Sequence, residues 1–396
     1  MTLSRTAPIA LISLVLLLSL VPEAAVAEKG RPDRFHSGKV YRGSFPDPDV
    51  FRVGRTWVAS GTTIARRSLP MLTSANGRKW RARKAHGKGV RRNNDAMVGV
   101  PRWAARHRAG PRRFIKTWAP SIGRASNGRW LAAYAAPLRR NPGKRCIGIA
   151  SADRPLGPYR HSRRRPLVCP RHQGAIDPDI FRSRGRTYLL WKTSGIWGRE
   201  ATTIRVRKLK RNGQGFKRGS RAHTLLRTAH SWERPLIENP SMLRYRGRLY
   251  LFYSANRWYT RNYAVGYAIC RTVRGPCRRP QRGPLLSSGR GIAGPGGQSA
   301  FRGPGGKLLL AYAAWPAGRV GHQRRLHVAK LRVRRHGRLV VAKRFLNRSK
   351  RSSQSSSGSS PRANQVASRS TAFSCSGYSS TNACSWTATQ ASVTSS

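Results

Sequence analysis

Five segments of the chain share one arrangement of apolar and polar positions. Residues 47–62 read DPDVFRVGRTWVASGT, 119–135 APSIGRASNGRWLAAYA, 177–193 DPDIFRSRGRTYLLWKT, 239–255 NPSMLRYRGRLYLFYSA, and 298–313 QSAFRGPGGKLLLAYA. Four open on x-Pro-[Ser/Asp]-apolar, and all five place Gly-Arg or Gly-Lys before an apolar or aromatic run. Short apolar runs broken by a Gly-containing pair are strand, tight turn, strand. The starts lie 72, 58, 62 and 59 residues apart. About sixty residues hold roughly four strands of ordinary length, which is one propeller blade. The pattern predicts an all-β fold, a five-bladed β-propeller over residues 34–345. A solenoid is the rival architecture, but its repeats are usually shorter and helix-bearing. No helical periodicity runs through the mature chain.

The pattern stops at both ends. Arg5 precedes an apolar run from Ile9 to Val21 and a small-residue site at Ala25-Val26-Ala27. That order predicts a secretory signal peptide over residues 1–27, with mature protein from Glu28. The run is too short for a stable span and no later stretch suffices, so a secreted, extracellular protein without membrane attachment is expected. After residue 345 the chain turns to Ser, Thr, Gly and Ala, including SSQSSSGSS. Such a segment cannot bury a core, and residues 346–396 read as a Ser-rich linker and disordered tail.

Charge then changes the picture. Lys plus Arg number 79 against 12 Asp plus Glu, a formal net charge of +67. Loss of the leader removes Arg5 and Glu23 and leaves that balance unchanged. Such a field attracts polyanions, anionic wall polymers among them, and says nothing about fold. The basic residues are scattered singly and no aromatic row marks a basic groove, so specific nucleic-acid binding is not expected. A monomer is expected. Six cysteines form three local pairs, Cys146 with Cys169, Cys270 with Cys277, and Cys375 with Cys384. In an exported chain these predict disulfides, although spacing alone leaves connectivity open. Nothing has the spacing of a structural zinc site.

In a chain so poor in acids, the position of each carboxylate is informative. The innermost strand of a propeller blade lines the central channel, so the residue leading into each repeat belongs to one ring at the channel mouth. The ring reads Asp47, Ala119, Asp177, Asn239 with Glu238 just before it, and Gln298. Asp before Pro commonly caps a turn. Capping is a weak account of three acids converging from blades one, three and four. Asp49 and Asp179, two residues on, are expected to hold backbone. Two carboxylates across a pocket are the minimum for glycoside hydrolysis, one activating water and the other protonating the leaving oxygen. A third beside the acid raises its pKa by like-charge repulsion. Trp57 and Trp118 offer faces for a substrate sugar ring, with blade packing as the competing use of each.

FPDPDVFRVG, WAPSIGRASNGRWLAAYAA, CIGIASADRPLGPYR, GAIDPDIF, IENPSMLRYRGRLYLFYSA, YAVGYAIC and RRLHVAKL occur in this order between Ser44 and Arg335. Together they resemble glycoside hydrolase family 43, the five-bladed arabinanases, α-L-arabinofuranosidases and β-xylosidases. The resemblance implies Asp47 as general base, Glu238 as general acid and Asp177 as the carboxylate that orients and tunes the acid. It also implies inversion at the anomeric carbon and a polysaccharide substrate carrying arabinofuranosyl or xylosyl linkages. Many members hold a central calcium or sodium ion with a fifth-blade His, whose place falls here on Gln298. No cofactor is required on this reading, and a structural ion is in question because imidazole is lost. The alternative function is a catalytically silent propeller that binds an anionic wall polysaccharide. A related fructan-acting fold would carry Asn-Asp-Pro-Asn, Arg-Asp-Pro and Glu-Cys signatures, which are not found.

Overall fold

The computed structural model describes residues 39–77, 79–82, 95–109, 112–195 and 201–342. Over these residues the five repeats become five antiparallel sheets arranged around one channel. Blade one contains Asp49–Val53, Thr56–Ser60, Met71–Ser74 and Arg81–Ala82. Blade two contains Trp118–Arg124, Trp130–Pro137, Arg145–Ala152 and Tyr159–His161, with Met97–Val98 added in parallel at its edge. Blade three runs through Ala175–Ser183, Arg186–Thr193, Thr203–Lys208 and His223–Arg227. Blade four uses Ile237–Tyr245, Arg248–Ala255, Ala264–Cys270 and Cys277–Arg278. Blade five has Ile292–Arg302, Leu308–Pro316 and Arg325–Val333. Its next strand is Lys39–Ser44, so the start of the described chain joins the last blade and closes the circle.

Local chemistry explains the hairpins. Ser183 pairs with Arg186 and Tyr245 with Arg248, leaving two-residue turns Arg184-Gly185 and Arg246-Gly247. Both residues of each turn have positive φ, 47° and 72° in the first and 47° and 77° in the second. That is the type I′ turn whose twist matches the flanking strands. In the second strands, such as Arg186–Thr193, every residue after the first is buried. A sheet packed on both faces loses simple alternation. Five apolar clusters result, each shared by two adjacent blades.

The channel is laced by a closed ring of side-chain hydrogen bonds. Asp49 accepts from the Ile122 amide at 2.7 Å, Ser121 from Ile180 at 3.0 Å, and Asp179 from Met242 at 2.9 Å. Ser241 accepts from Ala300 and Ser299 from Val50, both at 3.1 Å, completing the circuit. Each blade thus satisfies an amide of the next. Disulfides join Cys146 to Cys169 and Cys270 to Cys277, bonds that persist in oxidising compartments. Among the described residues no helix is long and apolar enough to cross a membrane. The leader at 1–27, the tail at 346–396 and the pair Cys375/Cys384 lie outside the described residues.

Candidate active site

One residue at the mouth end of each inner strand, just before the strand in blade one and within it in the others, adopts left-handed backbone: φ is 51° at Asp47, 38° at Ala119, 53° at Asp177, 51° at Asn239 and 58° at Gly297. In blades two to five the pairing slips at this point, giving a bulge beside the channel. Bulges re-aim side chains, and non-glycine residues held in this region cost of order 1–3 kcal/mol each. The geometry corrects the sequence register in blade five. Its ring position is Gly297, and Gln298 occupies the place that Pro takes in the other four blades. The fifth segment lacks that Pro, which marked the others.

Asp47, Asp177 and Glu238 come together at the channel mouth. Asp47 accepts the Thr62 hydroxyl at 2.7 Å through Oδ2 and pairs with Arg324 Nη1 at 3.3 Å through Oδ1. Glu238 accepts the Tyr263 phenol at 2.8 Å through Oε1 and Lys192 Nζ at 3.0 Å through Oε2. Asp177 Oδ2 accepts the Asn239 amide at 3.0 Å. Sequence reasoning missed Thr62, Lys192, Tyr263 and Arg324. They arrive on the second strand or the loop after it, whose register places them at the same end as the inner-strand starts.

Electrostatics ties the three acids into one site. Burial lifts Asp177 well above the ordinary carboxylate range; Glu238 and then Asp47 push it further, while Lys192 opposes. The raised Asp177 carboxyl therefore keeps its proton at neutral pH. Burial also lifts Tyr263 well above the usual phenol range, with Glu238, Asp47 and Asp177 all adding and Arg324 opposing. Tyr263 is a neutral donor facing three acids. Such a set can hold, move and deliver protons around a bound molecule.

The residues do not fit a central cation of the kind the fifth-blade His would hold. Gly297 has no side chain, and a Cβ there would collide with the Asp47 carboxylate. Gln298 is buried and committed: its Oε1 accepts the Ser254 hydroxyl at 2.5 Å and its Nε2 donates to Asn239 O at 2.7 Å. Among the described residues no group of three or more His, Cys, Asp or Glu side chains, the three acids at the mouth included, is placed to hold a metal ion. Gln298 therefore braces blade four against blade five.

The two tryptophans part company. Trp57 is 5% exposed within the apolar cluster between blades one and five, with Nε1 donating to Arg302 O at 2.9 Å. It packs the fold and offers no face to a sugar. Trp118 is half-buried next to the ring residue Ala119, with the Arg145 guanidinium 3.2 Å from its ring centre.

Known proteins agree with this architecture. A thermostable family-43 glycoside hydrolase is 23% identical over 78% of this chain and 95% of that one, with TM-score 0.64. An endo-1,4-beta-xylanase from Bacteroides thetaiotaomicron is 21% identical over 77% and 96%, with TM-score 0.61. An alpha-L-arabinanase from Cellvibrio cellulosa, solved with arabinohexaose, is 21% identical over 76% and 96%, with TM-score 0.57. At these identities the likeness is one of fold. No curated protein sequence matches the chain. The model of glycosyl hydrolases family 43, however, matches residues 39–339. That match spans most of the chain and all five blades: this protein belongs to glycosyl hydrolases family 43.

Proposed function

We propose that this family 43 hydrolase is secreted and cleaves arabinofuranosyl or xylosyl linkages in plant-type polysaccharides with inversion. The observation that carries the reading is the meeting of Asp47, Asp177 and Glu238 at the channel mouth, with Glu238 bonded to the buried Tyr263 phenol. The arabinanase and xylanase likenesses support the substrate class. Asp47, fixed by Thr62 and Arg324, takes a proton from the attacking water. Glu238 gives a proton to the leaving glycosidic oxygen, and Asp177 beside it orients and tunes that acid. Both oxygens of Glu238 accept hydrogen bonds in the free protein, so substrate must displace part of this set for the proton to reach its oxygen. Arg324 Nε and Nη2 are buried and have no hydrogen-bond partner among the described residues, so substrate hydroxyls would reach them only as the site rearranges around a bound sugar.

The test is a screen of purified protein on aryl arabinofuranosides, aryl xylosides and debranched arabinan, with Glu238→Gln alongside. Loss of the acid should lower kcat by about 10²–10⁴-fold on the polymer. Aryl substrates with good leaving groups need less protonation and should lose less. Proton NMR of the first-formed sugar should show the inverted anomer. Retained configuration, or a Glu238→Gln enzyme with undiminished kcat on the polymer, would sink the assignment.

A further inference from the structure

Three large hydrophobic side chains are exposed among the described residues: Trp258, Tyr259 and Val320, at 37%, 48% and 40%. Exposed apolar residues scattered singly need no explanation. These three share two neighbouring loops, residues 256–263 of blade four and 317–324 of blade five. Both loops sit at the channel mouth. Ala255 pairs with Ile237 and with Ala264, while Pro316 pairs with Ile292 and Ala314 with Arg325. Each loop ends in a residue of the site, Tyr263 on Glu238 and Arg324 on Asp47.

The aromatic pair is held in place. Trp258 and Tyr259 meet edge to face, with centroids 5.8 Å apart at 89°. Arg257 Nη1 donates to the Tyr259 hydroxyl at 3.0 Å, and its amide donates to Asn256 Oδ1 at 2.8 Å. Thr260 donates twice to Arg257 O, from its amide at 3.0 Å and its hydroxyl at 2.9 Å. Ser288 ties the loop to blade five, donating to Arg261 O and accepting from the Gly294 amide at 2.8 Å. A rigid exposed aromatic loses little entropy when a ligand settles on it.

We propose that Trp258, backed by Tyr259, is a subsite for a sugar ring on the leaving-group side of the scissile bond, beyond the sugar that carries the leaving oxygen. The inference rests on the reading of Glu238 as the acid. The leaving oxygen must then lie against Glu238, on blade four, and the departing chain must continue across blade four's rim. The loop there is the one that Tyr263 fastens to Glu238, and Trp258 is its exposed face. A pyranose or furanose ring presents C–H groups to an aromatic face while its hydroxyls stay wet. Exposed Asn262 and Gln323 on the same two loops supply amides for those hydroxyls. Two rings are far too small for a stable protein interface, which needs roughly 1,000 Å².

The test uses the full protein with Trp258→Ala and Trp258→Phe, on arabino- and xylo-oligosaccharides of increasing length. In Trp258→Ala, kcat/KM on the longest oligosaccharides should fall by about tenfold, an effect expected of one stacking contact. The shortest member hydrolysed should be affected least, and Trp258→Phe should recover most of the loss. Equal losses at every length, or none at any length, would overturn the subsite while leaving Glu238's role intact. A wild type inactive on every oligosaccharide would overturn the reading of the site and the subsite with it.

Discussion

Lys192 shows how the site departs from three acids in isolation. Its ammonium, 7% exposed, lies 3.0 Å from Glu238 and holds down the pKa of Asp177. A cation at such range shifts a carboxyl by about 1–3 pH units. Lys192→Met should therefore move the alkaline limb of kcat/KM upward, because Asp177 loses the cation that holds its pKa down. Asp177→Asn should move the same limb downward, since Glu238 loses a like charge. Profiles of both variants from pH 4 to 10 check this; limbs that superimpose on wild type would reduce both residues to packing roles. The acids were legible in the sequence because acids are rare and Pro marks their turns. Lys192 was not, because one more basic residue among 79 carries no distinction. Tyr263 and Arg324 were equally hidden, since only the strand register brings their loops to the mouth.

The inner strand is the element through which blades are fastened. Ser241 and Ser299 each accept an amide of the next blade, and the donors Ala300 and Val50 are themselves buried. Ser241→Ala would leave the Ala300 amide without its partner, a loss of about 1–3 kcal/mol measurable by denaturant unfolding. Asp179 serves the same ring but also titrates. Burial first, then Asp49, lifts its carboxyl from the ordinary range to about 8. The unfolded chain gives up that proton near pH 4 while the folded protein keeps it, so the folded state binds more protons across this window. Stability from Asp179 is thus fully present at low pH, falls as pH rises toward about 8, and is level above. Asp179→Asn keeps an oxygen for the Met242 amide and removes the titration, so melting temperature should decline less between pH 5 and 8. A decline as steep as wild type would show that Asp179 is not held neutral. This ring also explains the misplaced fifth blade. Asp49, Ser121, Asp179, Ser241 and Ser299 form the repeating signal, and aligning on them rather than on Pro puts Gly297 at the mouth.

At the scale of the molecule, the acids among the described residues are almost all inside. The described residues include Asp47, Asp49, Asp95, Asp153, Asp177, Asp179, Glu233 and Glu238, and only Asp153 is exposed. Asp95 caps the amides of Ser68, Leu69 and Met97, and Glu233 anchors Arg279 and Tyr253. Composition revealed the charge, but only the fold reveals that, among the described residues, the exterior has almost nothing to neutralise it. Such a surface should retain the enzyme on acidic polymers near its substrate through many weak contacts. Each contact releases condensed counterions, and the Debye length shrinks to about 3 Å at 1 M salt, so retention should collapse as salt rises. Hydrolysis of a small neutral aryl glycoside should depend on the channel, where Asp47 and Glu238 are mostly shielded from solvent. It should barely respond to the same salt. Pull-down on polygalacturonate and aryl glycoside turnover, both followed from about 0.05 to 1 M sodium chloride, separate the two. Retention indifferent to salt would refute the electrostatic account. Turnover that fell in step with retention would mean that the surface charge reaches into the site, and that surface and channel do not act independently.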